Sequence, residues 1–173
     1  VQAVSEGRHI RLHLSKGDTK ICAMRFGVSP IDFPFKKGDT VDIAVTVEAN
    51  EYLGEVKPSV HIKSVRGCGM DDLAVLNNFS LYEKIRRGEK LTAEEKQIAL
   101  PSREFMLNIF KFIKKINYWN YDFETLCYRL GDNGSSLCKV AVSIEAMIEL
   151  GVLIRDEDGS ITLPDVPVKA DLS

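Results

Sequence analysis

Two hydrophobic periods divide this chain. Up to about residue 67 the period is two. Residues 9–14 alternate strictly, with Ile10, Leu12 and Leu14 on one face and His9, Arg11 and His13 on the other. Residues 19–26 are β-rich but apolar on both faces. Val41, Ile43, Val45 and Val47 alternate with Asp42, Ala44, Thr46 and Glu48, and Val56, Val60 and Ile62 alternate with Lys57, His61 and Lys63. Lys16-Gly17-Asp18, Lys37-Gly38-Asp39 and the stretch from Asn50 to Gly54 are turns, and Pro30 and Pro34 place 27–38 in a long connection. A sheet this small must close or cover its edges. The economical solution is a five-stranded barrel with a long, bent first strand, which is the OB-fold.

The period then becomes helical. Residues 67–78 read as a linker. Ser80 can cap 81–87, and Thr92 to Glu95 is a capping-box signature for a short helix to about 98. Ser102 can cap a helix striped by Phe105, Met106, Ile109, Phe110, Ile113 and Ile116. Asp122 caps 123–130. Ser135 or Ser136 opens a helix with Leu137, Val140, Ala141, Ile144, Met147 and Ile148 inward, ending at Gly151. A hairpin of 152–154 and 161–163 follows around an acidic turn, and Pro164 and Pro167 start a tail. This order is that of a winged helix. The expected architecture is mixed: an all-β OB-fold barrel over 1–67, a linker with short helices over 68–100, and a mainly α winged-helix-like domain over 101–173.

Composition agrees with folded domains, since 45% of residues are hydrophobic and 28% charged. No apolar run approaches the ~18 residues of a membrane helix, and no secretory signal is visible. Cys22, Cys68, Cys127 and Cys138 have no metal-ligand spacing and fit a reducing cytoplasm. Val1 in place of Met raises the expectation of a fragment or a processed chain. The net charge of -2 conceals an asymmetry. Residues 1–67 hold ten Lys/Arg, eight Asp/Glu and all three His, whereas the remainder holds thirteen against seventeen.

No catalytic or metal-binding constellation stands out. The histidines have basic rather than acidic neighbours, which disfavours metal-ligand and general-base roles. Phosphate loops, nucleophile elbows and zinc-protease motifs are missing. The first chemical signal is the basic strand faces: His9, Arg11 and His13 on one strand, Lys57, His61 and Lys63 on another, with Arg8, Lys16, Arg25 and Arg66 near the ends. Basic groups that track phosphates beside base-stacking aromatics are how OB-folds hold single strands. Phe33 and Phe35, next to Lys36 and Lys37, could supply the aromatics. The competing reading is an ordinary solvated exterior with both rings plugging the barrel end. Asp42 and Glu48 oppose phosphate.

The second signal is mostly negative. The helix over 135–150 offers Lys139 against Glu145 and Glu149, and the wing carries Asp156, Glu157 and Asp158 against Arg155, a poor reader of duplex DNA. Winged helices also dock proteins. Trp119, with Tyr118 and Tyr121, lies near Lys111, Lys114 and Lys115, a set suited to an acidic, aromatic-ended peptide unless the rings are core.

Glu6 to Leu12, Lys37 to Ala44 and His61 to Arg66 resemble the OB domain of RecJ, the single-stranded-DNA-specific exonuclease; the Gly-Asp-x-Val-Asp phrase and the closing Arg66 are the specific parts. Leu91 to Lys96 and Leu100 to Glu104 resemble the carboxy-terminal extension of RecJ proteins from low-GC Gram-positive bacteria. The family's catalytic Asp-His-His and Gly-Gly-His motifs do not occur here, so no catalytic or metal-ligand residue carries over; Mn or Mg would belong to the missing core.

The resemblance implies the C-terminal part of a cytoplasmic 5′→3′ exonuclease of DNA repair and recombination. Its OB domain grips single-stranded DNA, through Arg8, His9, Arg11, His13, Arg25, Lys57, His61, Lys63 and Arg66. Its terminal domain is expected to dock partners such as single-stranded-DNA-binding protein; the resemblance assigns no docking residues, and the residues read here for that role are Lys111, Lys115 and Trp119. The alternative is a standalone OB/winged-helix module with no nuclease; a transcription regulator is disfavoured by the acidic helix and wing.

Overall fold

The computed structural model describes residues 1–52 and 54–166. The chain divides into two compact units, Val1–Cys68 and a second beginning at Gly69.

The first unit is one five-stranded sheet: β1 (Gln2–Val4), β2 (His9–Lys16), β3 (Thr19–Phe26), β4 (Val41–Tyr52) and β5 (Glu55–Gly67), in the order β1-β2-β3-β5-β4. All neighbours are antiparallel except β3 and β5, which run parallel with Ala23 opposite Val60 and Met24 opposite His61. The two-residue link Gly17-Asp18 between β2 and β3 needs a positive φ at its first position, and Gly17 has φ 57°. A register shift between Ala44 and Val45 leaves Lys63 as an extra residue in β5, so Ile62 and Val65, three apart, both face the core. That core is small: Ile10, Leu12, Ala23 and Ile62 are buried, with Leu14, Val28, Phe33, Val60 and Val65 against them.

Two expectations change. The long, bent first strand is instead a three-residue β1 cut from β2, because Ser5 and Glu6 take left-handed φ of 53° and 59°. With β1 so short, no pairing among the described residues joins it to β4, and the sheet has the OB strand order without hydrogen-bonded closure.

The second unit holds α1 (Asp72–Arg86), α2 (Ala93–Ala99), α3 (Arg103–Ile116), α4 (Phe123–Arg129), α5 (Leu137–Glu149) and the short hairpin β6 (Ile154–Arg155) with β7 (Ile161–Thr162). Helix α1 starts within the segment expected to be a linker, nine residues before the expected position, because the Asp71 carboxylate accepts from the Leu73 and Ala74 N–H groups at 3.0 and 3.1 Å. Its pattern hides it: Leu73, Leu76 and Phe79 are exposed while Asn78 is buried. Thr92 and Glu95 form the expected capping box on α2, and Ser102 and Asp122 cap α3 and α4. Ser136 makes no side-chain cap. Asp132 orders that turn instead, accepting from Gly134 and Ser136 N–H at 2.7 and 3.1 Å. The Trp119 backbone pairs with Ile161, adding a third, one-residue strand to the hairpin. Pro164 follows β7, and Pro167 lies outside the described residues.

Helix α5 is the centre of this unit and is covered on two sides. Leu137, Val140, Ile144 and Met147 join the main core with Ile109, Ile113, Trp119, Leu126 and Leu153. Cys138 and Ala141 pack instead on Leu81 and Tyr82 of α1 and Ala99 of α2. A helix apolar on most of its circumference is a buried one.

Candidate nucleic-acid interface

Strand pairing assembles the outer face of the first unit. Residues directly opposite each other across a ladder share a face. Gln2, Arg11, Met24, His61 and Thr46 therefore form one row across all five strands. His13, opposite Cys22, and His9, opposite Phe26, lie on the same face to either side. Lys63 follows His61 at the bulge and, like Arg11, makes no ion pair among the described residues. The two basic strand faces thus become one surface, with β3 between them.

The remaining predicted cations are placed differently. Arg8 is exposed in the β1–β2 loop, its Nε donating to the Ser5 carbonyl at 3.3 Å. Arg25 lies opposite Ile10, on the core side of the sheet, and its guanidinium donates to the main-chain carbonyls of Ile62, at 3.0 Å, and Lys63. It extends the short parallel β3–β5 ladder with side-chain hydrogen bonds. Lys57 sits along the outer reach of the β4–β5 hairpin, paired with Glu55 at 2.6 Å, and Arg66 faces Asp42 at 3.7 Å. Lys57 lies four residue steps from His61, about 13 Å along a strand. The acids Glu48 and Asp42 lie on this face as anticipated, Glu48 at 3.7 Å from His61 Nδ1.

The aromatic component is Phe26, which the sequence reading did not single out. Its ring stands between those of His9 and His61, 5.2 Å from each and near perpendicular to both. Phe33 and Phe35 are not available for stacking: Phe35 is buried, Phe33 packs on the core, and the rings meet each other edge to face at 5.7 Å. The available signal for Phe26 was the two-sided apolar pattern of 19–26, flanked by strands with basic faces.

In the second unit Lys111 and Lys115 are exposed on α3, but Trp119 is a core residue, 3% exposed. Its Nε1 donates to the Tyr121 carbonyl at 2.9 Å and its ring meets Phe112 and Tyr121 edge to face. The expected docking anchor is therefore corrected: pairing with Ile161 draws the indole inward, and Tyr118, 40% exposed, is the aromatic on the surface. Nor does α5 present a free reading face. The Tyr82 hydroxyl and Arg155 both donate to Glu145 Oε1 at 2.8 Å, tying α1 and β6 to it. Burial, then the bond to Glu145, raises the Tyr82 hydroxyl to about 12. Burial pushes the Glu145 carboxyl upward, but the bonds from Arg155 and Tyr82 outweigh it and hold it below its ordinary value.

Among the described residues no group of three or more His, Cys, Asp or Glu could hold a metal ion, and no helix is long and apolar enough to cross a membrane. The strand order, with its parallel β3–β5 pair, is that of an OB-type sheet, and its outer face is basic. Residues 1–64 match the family model of the RecJ OB domain. No curated protein and no solved structure matches the chain.

Proposed function

We propose that this chain is the C-terminal part of a RecJ-like 5′→3′ single-stranded-DNA exonuclease of repair and recombination, working in the cytoplasm. In this reading the first unit grips single-stranded DNA across β2, β3 and β5, and the second, winged-helix-like unit docks a partner protein. Hydrolysis, with its Mn or Mg, belongs to a nuclease core outside this sequence. The observation that carries the reading is the row Arg11–Met24–His61 within the segment that matches the RecJ OB domain. Arg11 and Lys63 supply charge for phosphates, His13 and His61 add polar groups, and the β3 residues between them supply apolar surface for bases. Protein docking is favoured for the second unit because α1 and α2 cover the side of α5 that a groove would need, and Lys111 and Lys115 remain exposed. Single-stranded-DNA-binding protein is the partner proposed.

A standalone module without a nuclease would use the same surface and is the second reading. An Asp-His-His core in the same reading frame decides between the two. The binding test is fluorescence anisotropy of the full chain with labelled single-stranded and duplex oligonucleotides across a salt series. Salt-sensitive binding of the single strand, weak duplex binding and no Mn-dependent degradation are expected. Duplex preference or salt-independent binding overturns the reading.

A further inference from the structure

We propose that Phe26 is a base-stacking residue, held for that purpose between two histidine rings; this rests on the single-strand reading above. A half-exposed phenylalanine ring offers an aromatic surface that a flat ligand can cover. Phe26 is 52% exposed although it sits on the outer face of a sheet whose other outward residues are largely polar or charged.

Its surroundings are fixed rather than loose. Gly27 N–H donates to His9 Nδ1 at 3.0 Å, which sets the His9 ring. His61 is anchored by Ser59, with Nε2 and Oγ 2.9 Å apart, and by Glu48. Both rings meet Phe26 at interplanar angles of 76° and 86°. Edge-to-face neighbours restrain an aromatic ring before a ligand arrives. Met24 extends the apolar surface one row inward, toward Arg11.

The occupant follows from the charge around the cluster. Arg11, one row inward opposite Met24, and Lys63, near His61, flank it, against Glu48 beside His61, so the partner is anionic, and it must also offer a flat π-face. A single-stranded nucleic acid has both: phosphates for the cations and a base for the ring. An acidic peptide satisfies only the first requirement unless it carries an aromatic.

The test separates base from phosphate. Full-length chain is titrated with a labelled 12-mer of oligo(dT) and with an abasic 12-mer of the same sugar–phosphate length. Wild type should bind oligo(dT) more tightly by about tenfold, the scale of one stacked base. Phe26→Leu, which keeps apolar bulk, should lose that advantage and leave abasic affinity unchanged, while Phe26→Tyr retains it. Arg11→Ala should weaken both ligands alike. If wild type prefers oligo(dT) and Phe26→Leu keeps the preference, stacking at Phe26 is refuted while single-strand binding stands. Equal binding of both ligands by wild type also refutes it. Binding of neither ligand removes the single-strand reading and this inference together.

Discussion

Tyr82 and Glu145, 63 residues apart in sequence, meet in a 2.8 Å hydrogen bond that ties α1 onto α5. Asn78, one turn earlier on α1, accepts from the Cys138 N–H at 3.3 Å through its side-chain oxygen. It supplies the first turn of α5 with an acceptor that Ser136 does not provide. Lys84 extends the same arrangement to α2 by donating to both Glu95 oxygens at 2.7 and 2.9 Å. Helix α5 is thus an internal strut of the second unit. Tyr82→Phe should cost about 1 kcal/mol and Asn78→Leu about 2 kcal/mol or more, since the latter orphans a buried N–H; urea unfolding curves measure both.

Gly134 combines a positive φ of 97° with a close approach: a Cβ there would collide with Val75 Cγ2 and lie 3.3 Å from Met70 Cε. Gly134→Ala should therefore destabilise the second unit by about 3 kcal/mol, from overpacking added to backbone strain. Thermal unfolding of the variant should show one transition shifted down while that of the first unit is unmoved.

Stability should fall at both ends of the pH scale. Burial raises the Cys127 thiol to about 12 and the Cys138 thiol to about 11, and Tyr82 lies at about 12. The folded chain holds these protons more tightly than the unfolded chain, so their contribution is intact below about pH 9 and is lost as pH climbs from 9 to 12. Glu145, and Glu95 through its bonds from Lys84 and Thr92, are held below their ordinary values. Their contribution is present above about pH 4.5 and is lost as pH falls through the lowered folded values. Glu145→Gln should flatten the acid limb in urea midpoints measured from pH 7 to 3.

Thiol labelling should split the four cysteines in two. Cys22 and Cys68 are exposed, and Cys127 and Cys138 are buried. Native protein should react with Ellman's reagent at two sites quickly and at the others only on unfolding. Fast reaction of a third thiol in native conditions would contradict either the burial of Cys127 in the main core or that of Cys138 under α1.

Arginine and lysine substitutions should separate grip from fold. Arg11→Ala and Lys63→Ala should each lower the slope of log affinity against log salt by about 0.7 for a single strand, with little change in stability. Lys57→Ala should lower it less, because Glu55 already neutralises that charge. Arg25→Ala should instead cost about 2 kcal/mol of stability by removing bonds to two β5 carbonyls. A slope change at Arg25 without loss of stability would reverse this division.

The local patterns determined much of this protein. Period-two alternation marked β2, β4 and β5 because one face of each is more apolar than the other, and Ser102, Asp122 and the Thr92–Glu95 pair marked helix starts because capping is a short-range interaction. The basic character of β2 and β5 was equally legible. What needed the tertiary structure was everything set by partners distant in sequence. The parallel β3–β5 register decided that Arg11 and His61 share a row and that Phe26 stands between two histidines, while Arg25 turned to main-chain carbonyls. The first half of helix α1, residues 72–80, escaped detection because Asn78 is buried against α5 while Leu73, Leu76 and Phe79 face water. Trp119 left two readings open, surface anchor or core, and its backbone pairing with Ile161 and burial in the main core decided for the second. Periodicity reports only which side of an element is apolar; which neighbour covers that side is settled by contacts across the fold.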